Sequence, residues 1–222
     1  MSLIAFLTSI LLSSLFVSSE SSRVHHRNDY AFVYSEKYEL PVYIKYTINK
    51  SDVEGPYKRT NKFSQDTSIT SLSSHPRDYK RSGYDRGHMK PAAVSTGSRL
   101  DMQESFLMSN ICPQVPEFNR VGWKKIEAEV RSLMRSQDSV IVYTGPVLTG
   151  IDTFIGPDSV GVPKYFFKTV LLGDSARAFG YLCPHEKLDK DVSRYIVSID
   201  SIESVIGIDL YPGLSEDLEL KF

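Results

Sequence analysis

The sequence has few cysteines and histidines and almost no net charge. Its 222 residues include two cysteines, five histidines, 26 basic and 27 acidic residues, which gives a net charge of −1. Two cysteines are too few for the disulfide framework of a small secreted domain, and no spacing of cysteine and histidine matches a zinc site. The balanced charge argues against nucleic-acid binding through a large overall positive charge. Cys112 and Cys183 are therefore either bonded to each other or free.

Long hydrophobic runs are also missing, except at the N-terminus. Residues 3–17 are mostly apolar, and the first charged side chain is Glu20. This run is shorter than the roughly 20 residues of a membrane-spanning helix, but it suits the core of a signal peptide, and Ser18 and Ser19 are small enough for cleavage. We expect a signal peptide at residues 1–19, a single domain at residues 20–222, and a secreted or periplasmic protein that is free of the membrane after processing. An uncleaved anchor is the alternative.

The patterns in the rest of the chain predict an α+β fold. Clusters of β-branched and aromatic residues predict strands at residues 30–48, 106–111, 140–143, 165–172, 176–182 and 195–199. Helical spacing of apolar residues after Arg120 predicts a helix that buries Ile126, Val130, Leu133 and Met134. Asp200 with Glu203 three residues later is typical of a capping signal for a short final helix. We therefore expect a central, mainly antiparallel sheet flanked by helices.

The charge is unevenly distributed along this chain. Residues 55–90 carry eight basic and three acidic side chains, whereas residues 183–222 carry four basic and nine acidic ones. The first segment is also poor in aliphatic residues, which predicts a long loop. This loop is either solvated and without a partner, or a local cationic surface within a neutral protein.

One short motif ends this basic segment and is followed by several others. Asp85-Arg86-Gly87-His88 by itself is compatible with a simple turn. It is followed by Ser109-Asn110 and Pro113-Gln114, and then by Asn119, Trp123 and Glu127, which are spaced four residues apart. These motifs, in this order, resemble those of the DNA/RNA non-specific endonuclease family, the ββα-metal (His-Me finger) nucleases that include endonuclease G. The resemblance extends from about residue 30 to the C-terminus and implies a ββα-metal motif.

The resemblance assigns roles to the first two polar residues of these motifs. A neutral imidazole accepts protons at physiological pH, so His88 is the expected base that activates water. We expect the backbone carbonyl or the amide of Asn110 to orient the ring of His88. Asn119 is implied to be the ligand of Mg²⁺, with Mn²⁺ as an alternative. A single amide ligand suits Mg²⁺, because this ion keeps several of its waters. A helix N-cap is the alternative role for Asn119.

The other candidate residues carry charge. In one α-helix, Glu127 would lie about 12 Å from Asn119 along the axis and about 80° around it, so contact through the water shell of the ion is expected rather than shared ligation. An ion pair of Glu127 with Arg131 is the alternative. Arg86, Arg59 and Lys90 are the expected phosphate-binding residues. The guanidinium groups of the two arginines bind phosphate in bidentate fashion, which the lysine ammonium group cannot reproduce.

Some of these assignments leave alternatives open. Arg86 could instead fix Asp85, which we interpret as orienting the motif, and Arg81 competes with Arg59. We interpret Trp123 as a core residue.

The sequence thus predicts a Mg²⁺-dependent endonuclease that hydrolyses DNA and RNA, with products that by resemblance end in 5′-phosphate and 3′-hydroxyl groups. No base-reading signature is present, so weak sequence preference and salt-sensitive activity are expected. Two alternatives remain: a secreted phosphodiesterase that acts on nucleotides or small diesters, and a catalytically silent nucleic-acid-binding domain. The sequence indicates neither a preference between DNA and RNA nor an oligomeric state.

Overall fold

The computed structural model describes residues 23–69, 73–173 and 177–214. A seven-stranded sheet with the order β1-β2-β3-β6-β9-β10-β11 forms its centre. Each neighbouring pair of these strands is antiparallel. Two smaller two-stranded sheets pair β4 with β5 and β7 with β8. The strands are Val24–His26 (β1), Tyr30–Ser35 (β2), Leu40–Asn49 (β3), Asp85–His88 (β4), Ile111–Gln114 (β5), Ser139–Pro146 (β6), Phe154–Ile155 (β7), Val160–Gly161 (β8), Tyr165–Leu172 (β9), Ala178–Pro184 (β10) and Ile196–Val197 (β11).

Short helices connect the strands. The α-helices of the described residues are Lys50–Glu54 (α1), Arg99–Glu104 (α2), Lys124–Ser132 (α3) and Ile199–Ile206 (α4). A π-helical segment, Phe118–Trp123, runs directly into α3. Single 3₁₀ turns are formed by Pro76–Tyr79, Ala92–Val94, Met108–Asn110, Leu133–Arg135 and Val192–Tyr195. No helix of the described residues is both long and apolar enough to cross a membrane.

The central sheet buries both of its faces, because alternate side chains of a strand point to opposite sides. In β6, Val142 belongs to the larger core cluster and the adjacent Tyr143 to the smaller one. The larger cluster lies under the β4–β5 pair and α3 and includes Trp123. The smaller cluster is covered by α4 through Ile202, and the lack of a side chain at Gly180 makes room for Ile202.

The predicted α+β architecture with a mainly antiparallel sheet is confirmed. The predicted helix is also present, with Ile126 and Val130 buried in α3. Two details were wrong. Residues 106–110 do not form a strand; Met108–Asn110 is a 3₁₀ turn and the strand begins at Ile111. Ser198, not Asp200, caps the final helix by accepting a hydrogen bond from the Ser201 N–H. The motif at residues 85–88 is a strand, as the ββα-metal motif implies, and not the simple turn that the four residues by themselves would allow.

The remaining expectations concern the cysteines and the N-terminus. Cys112 and Cys183 are both buried and free, so the open question of a bond between them is answered in favour of two thiols. The predicted signal peptide at residues 1–19 lies outside the described residues.

Candidate active site

The site is built on a ββα unit. In β4 and β5, His88 lies opposite Ile111 and Gly87 lies opposite Cys112. Gly87 is required here, because a Cβ atom at this position would lie 2.1 Å from Oε1 of the fully buried Gln114. After β5, the chain turns directly into the π-helical segment and α3. This connection places the polar residues of β4 beside those of the helix.

The π-helical segment changes how the helical residues are aligned. The backbone N–H of Lys124 donates to the carbonyl of Asn119, five residues earlier. A π-helical turn, closed by a hydrogen bond over five residues, rotates less per residue than an α-helical turn. The angle around the helix axis between Asn119 and Glu127 is therefore smaller than the roughly 80° expected for a regular α-helix. Asn119 lies inside this segment, whose N-cap is Glu117, and therefore is not a helix N-cap.

His88 is held between two phenylalanine rings. Its ring is 4.9 Å from that of Phe106, edge to face, and 5.4 Å from that of Phe63. The backbone carbonyl of His88 accepts a hydrogen bond from Nε1 of Trp123 at 3.4 Å. Only 7% of the residue is exposed, and its Nε2 atom has no hydrogen-bond partner among the residues that the structure describes. The ring is therefore fixed by packing and keeps one nitrogen available.

This environment keeps His88 neutral. Burial, with the positive charges of Arg59 and Arg86, lowers the pKa of His88 to about 3, and a hydrogen bond between the ring and the Arg86 backbone opposes the shift. A neutral ring in which one nitrogen donates has a lone pair on the other. His88 is thus in the form that accepts a proton throughout the physiological pH range.

The same two phenylalanines support two arginines. The guanidinium carbon of Arg86 lies 4.2 Å from the ring centroid of Phe63. The guanidinium carbon of Arg59 lies 5.1 Å from the ring centroid of Phe106. Both arginines are exposed residues, and neither forms an ion pair among the described residues. Cation–π contact with a ring directs each charge without neutralising it. Two uncompensated cations thus flank His88.

Asn119 is oriented by a carboxylate. Its Nδ2 donates to Oδ2 of Asp85 at 2.9 Å, and Arg120 binds both oxygens of the same carboxylate at 2.7 and 2.8 Å. Burial opposes ionisation of Asp85, but the hydrogen bonds from Arg120 and Asn119 outweigh it and lower the pKa of Asp85. Because the amide nitrogen is engaged, the Oδ1 atom of Asn119 is the one available to a ligand. Asp85 therefore holds the amide of Asn119 and pairs with Arg120 rather than with Arg86.

Five of the predicted residues line one open cleft of about 380 Å³: Arg59, Arg86, His88, Asn119 and Glu127. Arg81, the competitor of Arg59, is not among the residues that line it. Burial raises the pKa of Glu127, and the positive charges of Lys168 and Arg131 oppose that effect in part. Trp123 is completely buried beneath this cleft, so its interpretation as a core residue is confirmed.

Two predicted site residues lie elsewhere. Lys90 is only 1% exposed, and its ammonium group forms a buried ion pair with Asp29 and a hydrogen bond to Ser95. A side chain that is buried and paired in this way is not available to a phosphate, so the assignment of Lys90 to substrate binding is corrected. Lys90 instead anchors the chain that follows His88 to the loop before β2.

Asn110 fixes the backbone near His88 rather than the ring. Its Oδ1 accepts from the Lys90 N–H at 2.8 Å, and its Nδ2 donates to the carbonyls of Lys90 and Ser105 at 2.9 and 2.8 Å. Its own carbonyl accepts from the Met89 N–H at 2.9 Å. Three of these bonds engage the side-chain amide and the fourth engages the backbone carbonyl, so the expectation that the carbonyl or the amide of Asn110 orients the imidazole is also corrected.

The sequence reasoning missed several residues of the site. Arg120, Lys124 and Arg131 also line the cleft, and all three lie within or next to the predicted helix. Their spacing could have indicated a basic helical face. Phe63 and Phe106, which hold the imidazole, are far apart in the sequence and belong to loops with no periodic pattern, so no sequence signal points to them.

The donor atoms of the cleft fit one kind of metal ion. No group of three or more His, Cys, Asp and Glu side chains converges among the described residues, so a metal bound mainly by protein atoms has no site there. A hydrated Mg²⁺ ion needs few protein ligands. The oriented Oδ1 of Asn119 could supply one ligand, and the Glu127 carboxylate in the same cleft could accept hydrogen bonds from waters of the ion.

The ββα unit thus presents to one cleft a neutral histidine, an oriented amide and two arginines, Arg59 and Arg86, that form no ion pair among the described residues. The chain belongs to the DNA/RNA non-specific endonuclease family, whose model matches residues 8–217. It is 36% identical over 152 residues to human mitochondrial endonuclease G, a match that covers 62% of this chain and 51% of that protein. It is 31% identical over 214 residues to a nuclease of Syncephalastrum racemosum, covering 85% and 67% of the two chains.

The structure also resembles one solved by crystallography. A crystal structure of the EndoG/EndoGI complex, described in terms of EndoG inhibition, contains a chain that superimposes with a TM-score of 0.80 at 27% identity. The match covers 96% of this chain and 94% of that one, so the whole fold is shared. In contrast, the chain spans about half the length of human endonuclease G.

Proposed function

We propose that this protein is a Mg²⁺-dependent endonuclease that hydrolyses phosphodiester bonds of DNA and RNA with little sequence preference. One observation carries the proposal: the partnerless Nε2 of His88 and the oriented amide of Asn119 belong to the same open cleft. Family membership supports the substrate class. The cleft is lined by cations rather than by a base-reading element, which supports contact with phosphates rather than with particular bases.

In this mechanism His88 acts as general base. Its neutral ring takes a proton from the attacking water through Nε2, while the two phenylalanines prevent the ring from turning away. General-base catalysis of this kind contributes about 10²- to 10⁴-fold to a rate. Without substrate, His88 has a low pKa and is a weak base. The negative charge of a bound phosphate stabilises the protonated ring, so it raises the pKa of His88 and makes the ring a stronger base when substrate is present.

The remaining residues stabilise charge. Arg59 and Arg86 neutralise the growing negative charge of the scissile phosphate, because both residues are exposed and form no ion pair within the described part of the chain. Asn119 would hold a hydrated Mg²⁺ ion, which when bound supplies charge neutralisation at the phosphate and at the leaving oxygen. Glu127, which lines the same cleft, orients waters of the ion.

The test is cleavage of supercoiled plasmid and of RNA by the purified protein with Mg²⁺ or with EDTA. We expect cleavage of both substrates, its loss in EDTA, and a decrease of about 10²-fold or more in His88→Ala. His26→Ala, which removes an exposed histidine, is the matched control and should retain full activity. Plasmid cleavage by a folded His88→Ala protein at the wild-type rate would reject the mechanism. Turnover of a small chromogenic diester without plasmid cleavage would favour the alternative phosphodiesterase.

The proposal includes export of the protein. A signal peptide at residues 1–19 is predicted from the sequence, whereas the relatives include proteins that are named mitochondrial and others named only as nucleases. Fusion of residues 1–19 to a reporter should send the reporter out of the cytoplasm, with an N-terminus close to residue 20. Delivery of the reporter to mitochondria, or retention of an uncut leader, would contradict this part of the proposal.

A further inference from the structure

A second cleft lies next to the active site. Its volume is about 610 Å³, within the range of about 300–1,000 Å³ that is usual for sites of small ligands. We name it the flanking cleft, and the lining residues that matter are Tyr57, Lys58, Lys62, Phe63, Arg99 and Gln103. None of the roles described above uses this cleft.

The two clefts share a wall. Phe63 lines the flanking cleft, and its ring also contacts the His88 ring and supports the Arg86 guanidinium. Arg59 lines the active-site cleft, while its neighbour Lys58 lines the flanking cleft. Residues 58–63 therefore form a strap that separates the clefts by the thickness of one chain. A polymer bound at His88 would reach the flanking cleft by crossing this strap.

The strap is fixed at both ends. On one side, the Gly55 and Tyr57 N–H groups donate to Oγ1 and to the carbonyl of Thr96 at 2.9 and 3.2 Å. A Cβ atom at Gly55 would lie 1.9 Å from that carbonyl, so only glycine allows this contact. On the other side, Ser64 donates to the carbonyl of Phe106 at 3.2 Å. The flanking cleft is thus preformed by the fold.

The charge of the flanking cleft has one sign. Lys58, Lys62 and Arg99 are exposed, and no carboxylate is among the lining residues. None of the three forms an ion pair among the described residues, whereas exposed Arg77, Lys164 and Arg194 each do. Three uncompensated cations around one concave surface favour an anionic partner.

The flanking cleft also contains exposed aromatic surface. Tyr57 is 40% exposed, and Phe63 is partly exposed on the shared wall. Nucleic-acid bases stack on such rings irrespective of base type, and grooves that combine stacking rings with cations bind unpaired strands. A simple inorganic anion would use the cations but not the rings.

We propose that the flanking cleft binds unpaired nucleotides of the substrate adjacent to the scissile phosphate. Phosphates contact Lys58, Lys62 and Arg99, and a base stacks on Tyr57. This proposal rests on the proposed function, since it assigns the flanking cleft to the same polynucleotide that is cut at His88. It predicts that the enzyme prefers substrates long enough to occupy both clefts.

The test compares short and long single strands. The variant Lys58→Ala/Lys62→Ala/Arg99→Ala should lower kcat/KM for a 12-nucleotide strand by about tenfold to a hundredfold and leave that for a dinucleotide unchanged. Loss of three phosphate contacts should also make the plot of log K for strand binding against log [salt] less steep, with a slope that is smaller in magnitude by about 2. The control variant Lys37→Ala/Lys187→Ala/Lys190→Ala removes three exposed lysines outside both clefts and should match the wild type. Equal losses on both substrates would overturn the proposal.

A binding measurement separates this proposal from the proposed function. In EDTA and in a His88→Ala background, fluorescence anisotropy of a labelled 12-nucleotide strand should show the same loss of affinity in the triple variant. If the wild type cleaves nothing, the proposed function fails while this measurement still decides the flanking cleft. Tyr57→Ala should weaken binding and Tyr57→Phe should not. Unchanged affinity in the triple variant, or an equal loss with a fully paired duplex, would overturn the proposal.

Discussion

The Asp85 carboxylate accepts a hydrogen bond from the side-chain nitrogen of Asn119, so the amide has only one orientation in which this bond forms. The two residues are 34 positions apart and are brought together because β4 lies beside the π-helical segment. Asp85 is therefore a positioning residue for the proposed metal ligand. The pair also explains why an amide, rather than a carboxylate, occupies position 119.

This relationship makes Asn119→Asp a sharp test. A carboxylate binds Mg²⁺ more strongly than an amide in isolation. At this position, however, it would face the Asp85 carboxylate across about 3 Å without a donor between them, and like charges at this distance repel strongly. We expect both Asn119→Asp and Asn119→Ala to lose activity and Mg²⁺ response in plasmid cleavage.

The double variant Asp85→Asn/Asn119→Asp serves as the control. The amide of residue 85 could then donate to the carboxylate of residue 119, which restores the hydrogen bond with its direction reversed. We expect the double variant to be more active than Asn119→Asp alone and to respond to Mg²⁺. Full activity of Asn119→Asp by itself would show that Asp85 does not position residue 119.

The sequence predicted the motif residues of the site but not their supports. The fold class and five of the cleft residues follow from local motifs, because Asp85-Arg86-Gly87-His88 and the spacing of Asn119, Trp123 and Glu127 are short-range patterns. Lys90 was misassigned because a basic residue beside a motif looks exposed in the sequence, whereas its partner Asp29 lies 61 positions away.

The other omissions also depend on tertiary contacts. The ring of His88 is held by two phenylalanines from separate loops, not by an adjacent polar residue. The π-helical segment has no clear signature in the sequence, because its residues form an α-helix equally well by propensity. Each omission thus concerns a contact between distant segments or a local departure from regular geometry, and neither leaves a periodic pattern.

Gly87→Ala tests the close approach of β4 to Gln114. The added methyl group would overlap the Gln114 side chain, which is completely buried and has little freedom to move. Overpacking of this kind destabilises proteins by about 1–3 kcal/mol. Urea denaturation should show a loss of that size in Gly87→Ala. Gln114→Ala in the same background should recover part of it, and equal stabilities of wild type and Gly87→Ala would contradict the contact.

Lys168 is a buried cation close to the site. Its ammonium group is completely buried, with Oγ1 of Thr144 at 3.1 Å, the Met89 carbonyl at 3.3 Å and the Trp123 ring centroid at 4.8 Å. Burial lowers the pKa of Lys168, and the negative charge of Glu127 opposes this shift. In return, the charge of Lys168 opposes the rise in the pKa of Glu127.

Lys168→Met should therefore raise the pKa of Glu127 further. Since Glu127 orients waters as a carboxylate in the proposed mechanism, the acid limb of kcat/KM should move to higher pH. NMR titration of the Glu127 carboxyl group in the free protein provides a direct measurement. Thr144→Val removes one acceptor from Lys168 but keeps the charge, so its Glu127 titration should stay near that of the wild type. An unchanged titration in a folded Lys168→Met protein would show that the two groups are not coupled.

The neutral His88 makes the folded state sensitive to acid. The pKa of an unfolded histidine is about 6.5, whereas burial and the adjacent arginines lower that of His88 to about 3. Above pH 6.5 the ring is neutral in both states, so its contribution to the free energy of unfolding is fully present. As the pH falls from 6.5 towards 3, the unfolded state binds a proton that the folded state does not, and stability decreases by about 1.4 kcal/mol per pH unit.

His88→Gln should remove this component, because glutamine does not titrate. Urea denaturation between about pH 6 and pH 4 should show a smaller decrease in stability for His88→Gln than for the wild type, whatever the difference between the two proteins at pH 7. The burial of His185 also lowers its pKa, so acid sensitivity from that residue remains in the variant. His26→Gln, at an exposed position, should leave the pH dependence unchanged. Parallel stability curves for the wild type and His88→Gln would show that folding leaves the pKa of His88 unchanged, which would contradict the lowering of this pKa by burial and by the adjacent arginines.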